Sequence, residues 1–119
     1  MPINWIKYKG KTILEMSYKG ETKEGMLKML EDSAEILRNS NEKFLTLDDF
    51  EGSFGSEEFI KRAKELGRDV YAFKREKGAM IGVTGVKKIL FKAFILFSSD
   101  DKITLFDTRE EALEFLVKD

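Results

Sequence analysis

Two runs at the start of the chain, INWIKY and TILEMSY, are rich in β-branched and aromatic residues. The short connection Lys9-Gly10-Lys11 between them predicts a β-hairpin. In the second run Leu14, Met16 and Tyr18 share one side, while Ile13, Glu15 and Ser17 share the other. The period then changes. From Thr22, the residues Met26, Met29, Leu30, Ser33 and Leu37 recur at spacings of three and four, and Asn39-Ser40-Asn41 closes this amphipathic helix. KFLTLD, residues 43–48, predicts a third strand with Leu45 and Leu47 opposite Thr46. After the loop DFEGSFG, Ser56 caps a helix with Glu57 and Glu58 in its first turn, where the helix dipole favours carboxylates. Its apolar face, Phe59, Ile60, Ala63, Leu66, Gly67, Val70 and Tyr71, carries it through Gly67 to about residue 75 despite the roughly 1 kcal/mol cost of an interior glycine.

AMIGV, residues 79–83, predicts a strand covered on both faces. Residues 85–97 predict the next helix and KITLF the last strand. Thr108-Arg109-Glu110-Glu111 is a capping box that opens a final helix carrying Ala112, Leu113, Phe115 and Leu116. The order ββαβαβαβα predicts an α/β fold with a mixed sheet of about five strands: an antiparallel first hairpin, then parallel strands joined by right-handed crossovers. One face of that sheet is expected to be less completely covered than the other.

Composition narrows the chemistry. At 119 residues and 13.7 kDa the chain is the size of one domain, able to bury about two thirds of its unfolded surface. The formal net charge of -1 argues against a nucleic-acid binder, which needs a concentrated excess of Lys and Arg. With no cysteine and no histidine, disulfides, thiolate nucleophiles, zinc sites built on these residues and His-dependent triads are excluded. The opening MPINWIKYKGK lacks a signal-peptide pattern, and no apolar run approaches the roughly 18 residues of a spanning helix. A cytoplasmic protein without a transmembrane segment is expected, and no cofactor.

Three places hold candidate chemistry. Asp48, Asp49 and Glu51 follow the third strand, at the sheet edge where open α/β sheets bind ligands, and could hold a hard cation; a solvated loop with a helix-start cap is the plainer reading. Gly78, Gly82 and Gly85 fit neither phosphate-loop spacing. Thr84 and Gly85 nevertheless deliver a helix N-terminus with Lys87 and Lys88 near it, a candidate anion loop, although a capping Thr84 explains the pattern as well. In the helix at 85–97, Val86, Ile89, Leu90, Ala93, Phe94, Leu96 and Phe97 make a core face. Phe91 and Ile95 form a second stripe on the opposite side, flanked by Lys87, Lys88 and Lys92. That stripe suits packing within the domain, a second subunit, a protein partner, a hydrophobic ligand or an anionic membrane surface.

The element order, with GVTGVKKILFKAF and ITLFDTREEALEFL and more weakly YKGKTILEMSYKG, resembles the SpoIIAA-like branch of the STAS domains, whose fold is related to the Sec14 (CRAL-TRIO) lipid-binding domains. The resemblance covers nearly the whole chain. It implies a non-catalytic regulatory module that binds a protein partner or a second copy of itself as a homodimer. The Sec14 relationship adds a small hydrophobic or lipid-like ligand, in a cavity that a chain this short keeps modest or shares between subunits. STAS antagonists of anti-sigma factors carry a phosphorylatable serine within Asp-Ser-Ser-Gly; here the matching stretch is Asp48 to Ser56 and lacks that motif. Ser53 and Ser56 lie nearby as candidates, with a loop residue and a helix cap as the simpler readings. The rival function is a nucleotide- or metal-binding protein or enzyme using the acidic loop.

Overall fold

A computed structural model describes residues 2–53, 56–85, 88 and 102–118. The hairpin pairs β1 (Ile3–Tyr8) with β2 (Lys11–Ser17) in antiparallel register, Ile6 opposite Ile13. Lys9 and Gly10 both take positive φ, as a two-residue type I′ turn requires. Next come α1 (Lys23–Arg38), β3 (Phe44–Asp49), α2 (Glu57–Leu66), β4 (Arg75–Ile81) and β5 (Ile103–Leu105). The sheet order is β1-β2-β3-β4-β5, with β2 to β5 parallel. The predicted mixed five-stranded sheet is therefore the observed one.

Sequential parallel strands stepping in one direction through right-handed crossovers place α1 and α2 on the same face. That front face packs Leu14, Met16, Tyr18 and Met80 against Met26, Met29, Leu30, Leu37, Phe59 and Leu66. The C-terminal helix (Arg109–Val117) is not a crossover and covers the back face, where Ala112, Leu113 and Leu116 meet Ile13, Leu45, Leu47, Ala79 and Ile81. Its Thr108 cap accepts from the Glu111 N–H at 3.1 Å. At its far end the Lys77 ammonium donates to the carbonyl oxygens of Phe115 (3.1 Å) and Lys118, a cation on the negative end of the helix dipole. Arg109 bonds Glu15 from β2 and anchors the first turn.

Two expectations change. The strand expected at 79–83 runs over Arg75–Ile81: the charged run Arg75-Glu76-Lys77 hid its start, because Arg75 is buried in an ion pair on the front and Lys77 lies over the Phe115 ring on the back. The helical path expected to residue 75 does reach Lys74, but as α2, a π-helical turn at Gly67–Tyr71 and a last turn, α3 (Ala72–Lys74). The widened turn carries Val70 and Tyr71 side by side into the core. The predicted helix at 85–97 lies outside the described residues, apart from Gly85 and Lys88. Among the described residues, no helix is long and apolar enough to cross a membrane.

Candidate functional site: a cavity between the front face and the second helix

Alternation along β3 sends Phe44, Thr46 and Asp48 to the front face, into the core layer. A carboxylate there requires a cationic partner, since an isolated buried charge is costly. Arg75 supplies it from the start of β4. Its Nε donates to Thr46 Oγ1 at 2.8 Å, its guanidinium carbon lies 4.8 Å from the centre of the Tyr71 ring, and Nη2 stands 3.8 Å from Asp48 Oδ2. Asp48 and Arg75 are 5% and 4% exposed, so the pair is interior. Gly78 opens the lane for this side chain: a Cβ there would sit 2.7 Å from Arg75 Cδ and 3.1 Å from Thr46 Oγ1.

Tyr71, turned inward by the π-helical turn, continues the network. Its hydroxyl is 2.5 Å from Ser33 Oγ and donates to the Leu30 carbonyl oxygen at 3.1 Å. Burial pushes its pKa up. Tyr18, just past β2, stacks on Phe50 at 4.7 Å between ring centroids and meets Phe59 edge-on at 5.4 Å. Desolvation, and then the nearby Asp48 charge, holds its pKa well above 10.0. Among the described residues its hydroxyl makes no hydrogen bond, yet none of their sealed side-chain N or O atoms lacks a partner. Tyr18 also lines a cavity.

That cavity, about 40 Å³, lies between the sheet and α2 and is lined among the described residues by Met16, Tyr18, Asp48, Phe59, Gly67 and Arg75, with other apolar side chains. As it stands it has room for one or a few waters or a group of that size. Its described wall is apolar apart from Tyr18, Tyr71, Asp48 and Arg75.

The acids expected to act together are split by this geometry. Asp48 faces the cavity; Asp49 follows it onto the back face, near Arg109, and its Oδ1 accepts from the Glu51 N–H at 2.9 Å. Glu51 is exposed. No cluster of three metal-ligating side chains occurs among the described residues. Ser53 Oγ donates to the Phe50 carbonyl oxygen at 3.0 Å, and Ser56 Oγ accepts from the Phe59 N–H at 3.1 Å as the cap of α2. Thr84 and Gly85 are exposed; the Gly85 carbonyl oxygen accepts from the Lys88 N–H at 3.1 Å, and the Lys88 ammonium is 3.8 Å from Asp107. Lys87, Phe91, Lys92 and Ile95 lie outside the described residues. Sequence reasoning put Tyr18 and Tyr71 on core-facing sides but missed the stacking of Arg75 on Tyr71. The available signal was Asp48 itself, an acid at a core-facing position of an apolar strand.

No family model and no curated protein matches the chain. Solved structures do. An uncharacterised protein of the DUF3478 family with a SpoIIAA-like fold, from Shewanella loihica, superposes with a TM-score of 0.62 at 17% identity, over 96% of this chain and 91% of that one. An anti-sigma-factor antagonist (STAS) domain protein from Planctomyces limnophilus superposes with a TM-score of 0.55 at 14% identity, over 97% of each chain.

Proposed function

For a chain with the SpoIIAA-like fold of the STAS domains, we propose a non-catalytic regulatory binding function, with a small and largely apolar ligand held between the front face of the sheet and α2. The cavity lined by Tyr18, Tyr71, Asp48 and Arg75 carries this reading: it is a largely apolar-walled space with a few polar groups among its lining, the usual form of a small-molecule site. Its modest size favours a small molecule over a whole lipid. Met16 and Met80 line it, and their flexible thioether chains let such a space adapt to an occupant. The similarity to an anti-sigma-factor antagonist domain protein supports a protein as the second partner. The Phe91 and Ile95 stripe, with Lys87, Lys88 and Lys92 beside it, is our proposed surface for that partner or for a second copy of the chain.

Gly67 provides the test. It lines the cavity, has helical φ, and an added Cβ would meet nothing within 4 Å. Gly67→Ala should therefore keep the fold, gain about 0.5–1 kcal/mol from helix propensity, and place a methyl group in the ligand's space. Native mass spectrometry of the purified protein should show a bound small molecule that the variant retains poorly. A small apolar probe such as xenon should raise the melting temperature of the unaltered protein more than that of the variant. Absence of any adduct, with equal xenon response in both proteins, would refute the reading.

A further inference from the structure

β1 lies at one edge of the sheet, and a single bond fixes the direction of its main-chain groups. The Ser17 N–H donates to the Pro2 carbonyl oxygen at 2.8 Å. Bonded and unbonded pairs alternate along an antiparallel ladder, so Asn4–Glu15, Ile6–Ile13 and Tyr8–Lys11 are the bonded pairs of this hairpin. Ile3, Trp5 and Lys7 therefore turn their N–H and C=O groups outward. Among the described residues, no hydrogen bond meets them there. The edge also lacks the usual guards: β1 is six residues long, contains no proline, pairs with β2 without a bulge, and has Lys7 as the sole charge among its outward residues. Trp5 is 49% exposed, and its ring reaches over β2 to within 5.2 Å of the Phe44 ring, so it leans inward from the edge.

We infer that this edge pairs with β1 of a second copy of the chain, antiparallel and about a two-fold axis at Trp5, so that two sheets join into one. The outward groups set the register. With Trp5 opposite Trp5 of the second copy, Ile3 faces Lys7 and Lys7 faces Ile3, and each of these pairs exchanges both main-chain bonds. Shifted one step in one direction, Ile3 meets Lys9, whose positive φ belongs to the turn; one step further, Lys7 meets Lys7. Shifted the other way, Lys7 passes beyond Ile3 at the start of the strand. The central register thus uses every outward group and sets no like charges opposite each other, with the Lys7 stem lying over an isoleucine. Any strand offers main-chain groups; a second copy is singled out because its own side chains complete this pairing without a charge clash. The edge uses no residue of the cavity or of the Phe91 and Ile95 stripe, so this inference and the proposed function can fail separately.

Sedimentation of the protein at about 100 μM should show a dimer. Hydrogen exchange followed by NMR should then find the outward amides of Ile3, Trp5 and Lys7 protected like the inward ones of Asn4, Ile6 and Tyr8. Lys7→Pro removes an outward N–H that the monomer does not use, so the hairpin should persist while the dimer weakens at least about tenfold. Position 5 tests the register because it faces itself. Trp5→Lys and Trp5→Glu should each be monomeric, and their equimolar mixture should form a heterodimer. A monomer whose three outward amides exchange freely overturns the inference and leaves the edge to a strand of another protein. A dimer in which those amides stay unprotected, or one that Lys7→Pro leaves intact, overturns it as well. If the two charged variants dimerise alone as tightly as together, the two-fold register is wrong. Should a variant not fold, the exchange pattern of the unaltered protein decides.

Discussion

Replacing Gly82 with alanine separates two costs that usually come together. Gly82 follows β4 with φ +78, and an added Cβ would lie 2.2 Å from the Glu51 nitrogen, 2.7 Å from the Glu51 Cα and 2.8 Å from the Phe50 carbonyl carbon. All three are backbone atoms, so relief requires moving the end of β3 away from the end of β4. The Phe50 N–H bond to the Ile81 carbonyl oxygen, 2.9 Å long, joins these ends. The left-handed conformation alone costs alanine about 1–2 kcal/mol, and weakening that bond costs about 1 kcal/mol. With the repacking of Phe50 under Tyr18, Gly82→Ala should lose about 3 kcal/mol or more. Gly20 is the control: its φ is +76, and a Cβ there meets nothing within 4 Å. Gly20→Ala should lose only the dihedral cost, about 1–2 kcal/mol. Urea unfolding of both variants, at constant m-value, measures the difference. Equal losses at the two positions would refute the close approach of β3 and β4 at the rim of the cavity.

Lys77→Met should cost about 1–1.5 kcal/mol, because two carbonyl oxygens at the end of the C-terminal helix lose their charged donor; chemical denaturation checks it, and Lys77→Arg should recover part. Alkaline pH should destabilise the fold. Tyr18 and Tyr71 have pKa values raised above 10.0, so their unfolded forms ionise first, and stability present below pH 10 falls as pH rises beyond it. Each contributes a slope of up to about 1.4 kcal/mol per pH unit, and Tyr18→Phe should remove one such share in unfolding curves taken between pH 9 and 11. Phe91→Glu should abolish association with a partner or second copy while far-UV circular dichroism is unchanged, whereas Leu90→Glu on the predicted core face should unfold the domain. Equal unfolding by both would show that Phe91 belongs to the interior.

The order of elements was legible because its signals are local. Period-two and period-3.6 patterns lie within a few turns of chain, and Thr22, Ser56 and Thr108 announce helix starts through bonds to N–H groups three residues on. Alternation in β2 likewise assigned Leu14, Met16 and Tyr18 to one face before any partner was known. Parallel pairing followed from the order of strands and helices. The partners of the polar side chains did not. Asp48, Asp49 and Glu51 read as one acidic loop, but the strand continues through Asp49 and turns neighbouring carboxylates to opposite faces. Arg75 had no role in the sequence pattern beyond marking about where the second helix was expected to end. Only the register that sets Arg75 beside Phe44, with Gly78 leaving its lane open, buries that guanidinium over Thr46 and aims it at Asp48. The cavity also depends on tertiary structure, since it is the space that sheet, α2 and the π-helical turn leave between them. Periodicity records which face a residue takes; only docking of the layers decides what it meets there.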